Sequence, residues 1–508
     1  MTRKIARVVT FSLLIGLPRF ASAGSELDAF LSGRDSLEAA LDQISAERML
    51  ADIRTLSGPL FRGRQAGSAQ DEESASFVAT RFSELRLHRS PASPPQNQTN
   101  PLPRQEWKQT SPVPTRTIDD DVLVELTLPD RRLPLRVGSD LLPVLDSPSA
   151  DVAGPIIFVG YGISDPAQGI DDYAGLDVRD KIVLFLRGKP EKYAGSASHA
   201  GKERLAKQKG AVAYLTVTGP ILNAYEQRRG VTGNPSAFYS ATEVDHQLPG
   251  AWISSDTADT IIREGSGGNI SLRTLQEELN RAGTSRSRAT GTSAVLSWTS
   301  RLTTGTLFNV ISLIRGDTTG DETVLIGAHR DHFGRQAGLL FAGADDNASG
   351  TAVLLEVARV FAAAPVAPKR SILFVSFSGE EQGLLGSKLY VSQPITPLAK
   401  TMGMINVDHA GIGNGRLTVG VTGLEKTVAQ QAGQSSGISD KLDLFGFFPG
   451  GDHVPFKEAG VPTITVVSGG IHPHFHQPTD TADTIDPKIL ESVARYVFAL
   501  AWQLANAP

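Results

Sequence analysis

The chain contains no cysteine. Disulfides are excluded, and a metal site in this chain must be built from His, Asp and Glu. It also lacks a dominant charge of either sign: 49 Lys and Arg stand against 54 Asp and Glu, a net charge of −5. That balance gives no electrostatic footprint for a nucleic-acid partner. Long apolar runs are missing too. Residues 8–17 form a short apolar run, well below the roughly 20 residues that cross a bilayer. The run follows Arg3, Lys4 and Arg7 and leads to Ala21, Ser22 and Ala23. This is the pattern of a secretory signal, with removal expected after Ala23 and export to a bacterial periplasm or exterior.

The 508 residues are too many for one ordinary domain and suggest two or three. Residues 46–56 carry apolar side chains at helical spacing, and a second helix is expected over 71–87, after the break at 58–68. Residues 90–115 are rich in Pro, Ser, Gln and Asn and read as a linker. From about 118 to 296 the pattern changes to β-branched runs bounded by Gly, Pro and Asp: 122–127, 155–160, 181–186 and 212–217, with a helix over 202–209. No catalytic set is legible there. Asp171 and Asp172 read as a solvated turn, and 284–293 as a polar, turn-rich stretch.

After Asn309 strand and helix alternate, the pattern of an α/β sheet. The strand 323–326 runs into His329 and Asp331, and 371–377 runs into Glu380 and Glu381. The strand 404–407 runs into Asp408, and 462–467 into a loop bearing His472, His474 and His476. Asp345 lies in a tight Gly/Asp turn ahead of a helix. In an open α/β sheet, sites form outside the carboxyl ends of the strands, and these groups fall there. Imidazole mixed with carboxylate suits Zn(II), with Mn(II) or Co(II) as substitutes.

Six ordered motifs carry a resemblance. They are His329-x-Asp331, the segment 343–350 (Gly-Ala-Asp-Asp-Asn-Ala-Ser-Gly), the segment 378–387 around Glu380 and Glu381, Asn406-Val407-Asp408, Asp452-His453, and Phe475-His476-Gln477 with Asp480-Thr481. Together they resemble the di-zinc aminopeptidase family, which includes bacterial leucyl aminopeptidases, glutamate carboxypeptidases and glutaminyl cyclases. The resemblance runs from about Asn309 to the C-terminus. Residues 62–68 and their flanking helices resemble the family's N-terminal part. The middle, with 158–163 and 172–176, resembles the protease-associated domain inserted in many members. The implied fold is α/β, a mixed, mainly parallel sheet flanked by helices, with an inserted β-rich domain. The implied division is 1–23 signal, 24–117 N-terminal part and linker, 118–297 insert, and 298–508 main catalytic part.

The resemblance also implies roles. Two zinc ions per chain would share a water between them, with Asp345 bridging both. His329 and Asp408 would complete one shell, and Glu381 and His476 the other, with His474 as the alternative to His476. Glu380 would be the general base, and Asp331 would orient His329. A cis peptide is implied at Asp345–Asp346. His332 and His453 are expected to orient loops, and Asp452 to be structural or at the pocket edge. Arg330 and His409 depart from the common pattern and stand where they could alter the substrate pocket. The expected activity is removal of N-terminal residues from peptides, since a carboxylate-rich site favours a free ammonium. A carboxypeptidase gripping an acidic terminus through Arg330 or Arg335 is the alternative in the same chemistry. A non-catalytic binding protein of the same fold is the alternative outside it.

Overall fold

The computed structural model describes residues 36–85 and 108–507, apart from 224–225, 228–229, 242, 283–285 and 365. The expected signal and most of the expected linker lie outside the described residues. Fourteen strands form one sheet. In chain order they are β1 (Lys108–Thr127), β2 (Arg132–Pro134), β3 (Leu141–Pro143), β4 (Ala150–Phe158), β5 (Ile182–Leu186), β6 (Ala213–Val217) and β7 (Gly250–Ile253). They continue with β8 (Arg288–Ile314), β9 (Thr319–His329), β10 (Arg370–Phe377), β11 (Thr401–Asp408), β12 (Leu417–Thr422), β13 (Leu442–Phe445) and β14 (Thr463–Ser468). The order across the sheet is β13-β12-β14-β11-β9-β10-β8-β4-β5-β6-β7-β3, with β1 paired to β8 and β2 paired to β1.

The half that bears the expected ligands is built on β14, β11, β9 and β10, adjacent and parallel. Each is buried along most of its length, as all-apolar runs such as Val324, Leu325 and Ile326 require. The helices Ala46–Leu56, Gly350–Ala363 and Pro487–Asn506 pack on one face of this half. The opposite face carries a smaller cluster around Tyr390 and Phe456. No helix among the described residues is long and apolar enough to cross a membrane.

Several expectations meet the structure directly. The first helix spans Ala46–Leu56, and its N-cap Ser45 accepts from the Arg48 N–H. The second spans Ala69–Glu84, capped by Ser68. The middle strands fall on the apolar runs. Residues 108–115, read as linker, are instead the first part of β1. Residues 288–293, read as turn-rich, belong to β8. The reason is pairing: residues 108–115 lie opposite 310–303 of β8, and Arg288, Ala289 and Ser293 lie opposite Phe158, Ile157 and Pro155 of β4. The expected domain limits at 117/118 and 297/298 therefore fall inside two continuous strands. Asp172 is another correction. It is buried, and its carboxylate accepts the N–H groups of Tyr161 and Ile163, each at 3.0 Å. Burial pushes its pKa up to about 6 against those two bonds.

Candidate metal centre

The carboxyl ends of β9, β10, β11 and β14 lie side by side and deliver the charged groups to one place. His329 is the last residue of β9 and Asp408 the last of β11. Glu380 and Glu381 follow β10, and the His-bearing loop follows β14. The turn Ala344–Ser349 enters between them, immediately ahead of the helix Gly350–Ala363.

Two groups result. In the first, His329 Nε2 lies 3.5 Å from Asp346 Oδ1 and 3.4 Å from Asp408 Oδ1. In the second, His476 Nε2 lies 3.2 Å from Asp346 Oδ2 and 3.5 Å from Glu381 Oε2. Asp346 thus offers one oxygen to each group. Asp345, expected in that place, does not stand there. Its Oδ1 accepts the Gly411 N–H at 2.8 Å, and its Oδ2 faces His472 Nδ1 at 2.7 Å. The two adjacent carboxylates thus face different sets of partners. The cis peptide is likewise at Asp346–Asn347 rather than Asp345–Asp346.

The spacing fits a metal. Tetrahedral zinc with ligand bonds of about 2.0–2.1 Å sets its ligand atoms about 3.3 Å apart. The observed 3.2–3.5 Å separations match that edge. Three of the four, at 3.4–3.5 Å, exceed the roughly 2.7–3.2 Å range of ordinary hydrogen bonds, and buried Asp408 Oδ1 has no hydrogen-bond partner. The donor set is imidazole and carboxylate alone, as zinc accepts. A third cluster, Asp345, His409 and His472, is a poorer fit. His472 Nδ1 lies 2.7 Å from Asp345 Oδ2, closer than the roughly 3.3 Å edge of a tetrahedral zinc site, and His472 Nε2 faces Ser468 O at 3.0 Å.

The surroundings fix these groups in place. Asp480 accepts the N–H groups of Asp345 and Asp346 at 2.8 and 3.0 Å. Ser349 donates to the Asp345 carbonyl at 2.6 Å and accepts the Ala410 N–H. His332 Nδ1 lies 2.7 Å from Glu381 Oε1, a hydrogen-bond distance that occupies one oxygen and leaves Oε2 to the second group. His453 ties Phe448 O to Thr465, as a loop-orienting residue would. His474 bonds Thr479 and contributes no atom to either group. His329 Nδ1 lies 3.2 Å from the Asp331 backbone carbonyl and 3.7 Å from its carboxylate. The Asp331 carboxylate accepts the Glu380 N–H at 3.2 Å and so links the two motifs.

Buried like charges dominate the electrostatics. Burial pushes Glu380 up to about 8; His329 opposes this, and Asp452, Asp408 and Asp346 add to it. Burial also raises Glu381 well above the carboxylate range, with Asp346 and Glu380 adding to it. Burial lifts Asp452 up to about 7. Burial disfavours the charged form of His329, yet Asp408 and Glu380 outweigh it and raise that group. Such a cluster is unfavourable without cations among it, and cations reverse the direction of these shifts.

Arg64, in the segment 62–68, has a role that no local pattern in the sequence signals. Its fully buried guanidinium donates to the carbonyls of Leu56, Ala342 and Gly343 at 2.5–2.8 Å, and to that of Arg330. It braces the turn that presents Asp346. Arg330 does not reach the pocket: it is fully buried and pairs with Asp71 at 2.7 Å. Arg335 is committed to Asp120. His409 does stand at the site, its Nε2 3.7 Å from Asp346 Oδ2 and 3.8 Å from Asp408 Oδ1.

Residues 309–501 match the model of peptidase family M28. This segment belongs to that family. The chain is 30% identical over 172 residues to aminopeptidase YwaD of Bacillus subtilis, covering 32% of this chain and 37% of that protein. It is 30% identical over 226 residues to the probable glutamate carboxypeptidase VP8 of Zea mays, covering 39% of this chain and 31% of that protein. The match thus spans about a third of either relative's length. A solved aminopeptidase from Aneurinibacillus sp. strain AM-1 superposes with a TM-score of 0.63 at 23% identity, over 92% of this chain and 95% of that one. The likeness of fold therefore extends past the M28 segment into the middle strands.

Proposed function

We propose that the chain is an exported, zinc-dependent aminopeptidase that removes N-terminal residues from peptides. The observation that carries this reading is Asp346, whose two oxygens each face a separate histidine and carboxylate pair. His329, Asp346 and Asp408 would hold one ion, and His476, Glu381 and Asp346 the other. When bound, such ions polarise a carbonyl and lower the pKa of water. Glu380 would take the proton of the attacking water and pass it to the leaving amine. Asp331 would hold the Glu380 backbone while its carbonyl orients His329. The surplus of carboxylates would favour a free N-terminal ammonium over a C-terminal carboxylate. Both arginines considered for gripping a carboxylate are already paired elsewhere, which weighs against the carboxypeptidase alternative. Export rests on the sequence pattern of residues 3–23 alone.

The test is hydrolysis of aminoacyl-nitroanilides and of free and N-blocked peptides, with and without a chelator. Chelator-sensitive release from free N-termini is expected. Cleavage of N-blocked peptides from the other end would favour the carboxypeptidase reading. No hydrolysis and no bound zinc would favour the binding-protein reading.

A further inference from the structure

One contact joins the middle segment to the metal centre directly. His476 Nδ1 lies 2.8 Å from the backbone carbonyl of Ala237, and the Ala237 N–H donates to the His476 carbonyl at 3.0 Å. The neighbouring Gln477 side chain donates to Pro235 O at 2.9 Å and to Ser236 Oγ at 2.7 Å. Residues 235–239 thus lie along the His-bearing loop and bond it through backbone and side chain. Tyr239 adds a further tie, accepting from Gln65 at 3.2 Å. Close approach nearby depends on Gly230, where a Cβ would lie 2.1 Å from His472 O.

The same residues are anchored on their other side to the middle segment. Leu145 donates its N–H to Phe238 O at 3.1 Å, and Asp146 accepts the N–H groups of Ser240 and Ala241 at 2.8 and 3.0 Å. Ala237 itself is fully buried. The middle segment therefore shares in setting the position of its carbonyl.

We infer that the Ala237 carbonyl positions His476 as a metal ligand, so that the middle segment completes one of the two metal sites. A carbonyl has no proton to give, so the bond requires the proton on Nδ1. That leaves the lone pair on Nε2, which faces Asp346 and Glu381. Without this acceptor the ring is free to rotate or to take the other tautomer, and Nε2 would no longer face the carboxylates. His476 also holds a positive φ of 56°, a conformation costly for a residue with a side chain. The Ala237 N–H helps to retain it. No corresponding tie from the middle segment reaches His329 or Asp408 among the described bonds. The inference rests on the proposed metal reading, and it is specific to one site.

The experiment replaces Phe238 by its α-hydroxy acid analogue through nonsense suppression. This keeps the side chain and turns the Ala237 carbonyl into an ester carbonyl, a weaker acceptor. Zn2+ and Co2+ affinities are read by chelator competition and by the Co2+ absorption spectrum, with His476→Ala alongside. One ion is expected to bind about 10-fold more weakly, the low end of what such partners contribute. The other ion is unchanged, and so is the melting temperature of the metal-free chain. Both ions binding as in the natural chain, or both weakened equally, overturns the inference, provided that His476→Ala loses one ion. If His476→Ala keeps both ions, the site assignment has failed instead. Should the ester variant not fold, Gln477→Ala is read by the same criteria.

Discussion

Asp345 and Asp346 are chemically identical neighbours with different work. Asp346→Ala is expected to abolish stoichiometric zinc binding, measured by metal analysis, and activity with it. Asp345→Ala is expected to keep the zinc and lose about 1–3 kcal/mol of stability in chemical denaturation, because Gly411 N–H and His472 lose a buried acceptor. The reverse pattern would exchange the two assignments. Glu380→Gln is expected to lower kcat roughly 10²–10⁴-fold while zinc content stays unchanged. The sequence showed which residue types converge, since His329, Glu380, Glu381 and Asp408 all follow apolar strand runs. It could not show which of two adjacent aspartates faces inward, because that depends on the rotation of one turn held by Asp480, Ser349 and Arg64. Asp480 and Arg64 are distant in sequence, so the rotation has no local signal.

Among the elements, apolar strands were legible and polar ones were not. β5 and β6 read plainly from their β-branched runs. β8 did not, because its stretch around Ser300 to Thr306 is polar and largely exposed, and only pairing with β1 makes it a strand. Arg330 joins two elements. It fastens the helix Ala69–Glu84 to the end of β10, through Asp71, Ser74, and the carbonyls of Ser376 and Phe377. Arg330→Met leaves Asp71 buried and unpaired. A loss of roughly 3–5 kcal/mol is expected in urea denaturation; a loss below about 1 kcal/mol would show that the pair is dispensable.

For the whole molecule, one source of acid sensitivity lies in the middle segment. Burial holds the His199 imidazole well below its ordinary value, and Arg187 and Lys202 add to the effect. Below about pH 6.5 the unfolded chain takes a proton there that the folded chain refuses. Stability from this group is thus complete above that pH and falls as pH drops, by up to about 1.4 kcal/mol per unit. Urea denaturation of His199→Gln at pH 5 and pH 7 should show a flatter acid slope than the natural chain; an equal slope would assign acid sensitivity elsewhere. Zinc acts in the opposite direction. At a thousandfold excess over Kd it is expected to add about 4 kcal/mol per site, read as a higher melting temperature that a chelator reverses.

The ladder formed by β1 and β8 has a practical corollary for anyone recombining such chains. A graft of the central portion cut at residues 117 and 297 would divide the two ribbons almost in register, since Thr117 lies opposite Arg301 and Leu123 opposite Ser297. Each parent would keep its own matched teeth, and only the Ile118–Ser300 and Val122–Trp298 pairs would join one to the other. Exchange between relatives should therefore succeed where those two pairs stay compatible.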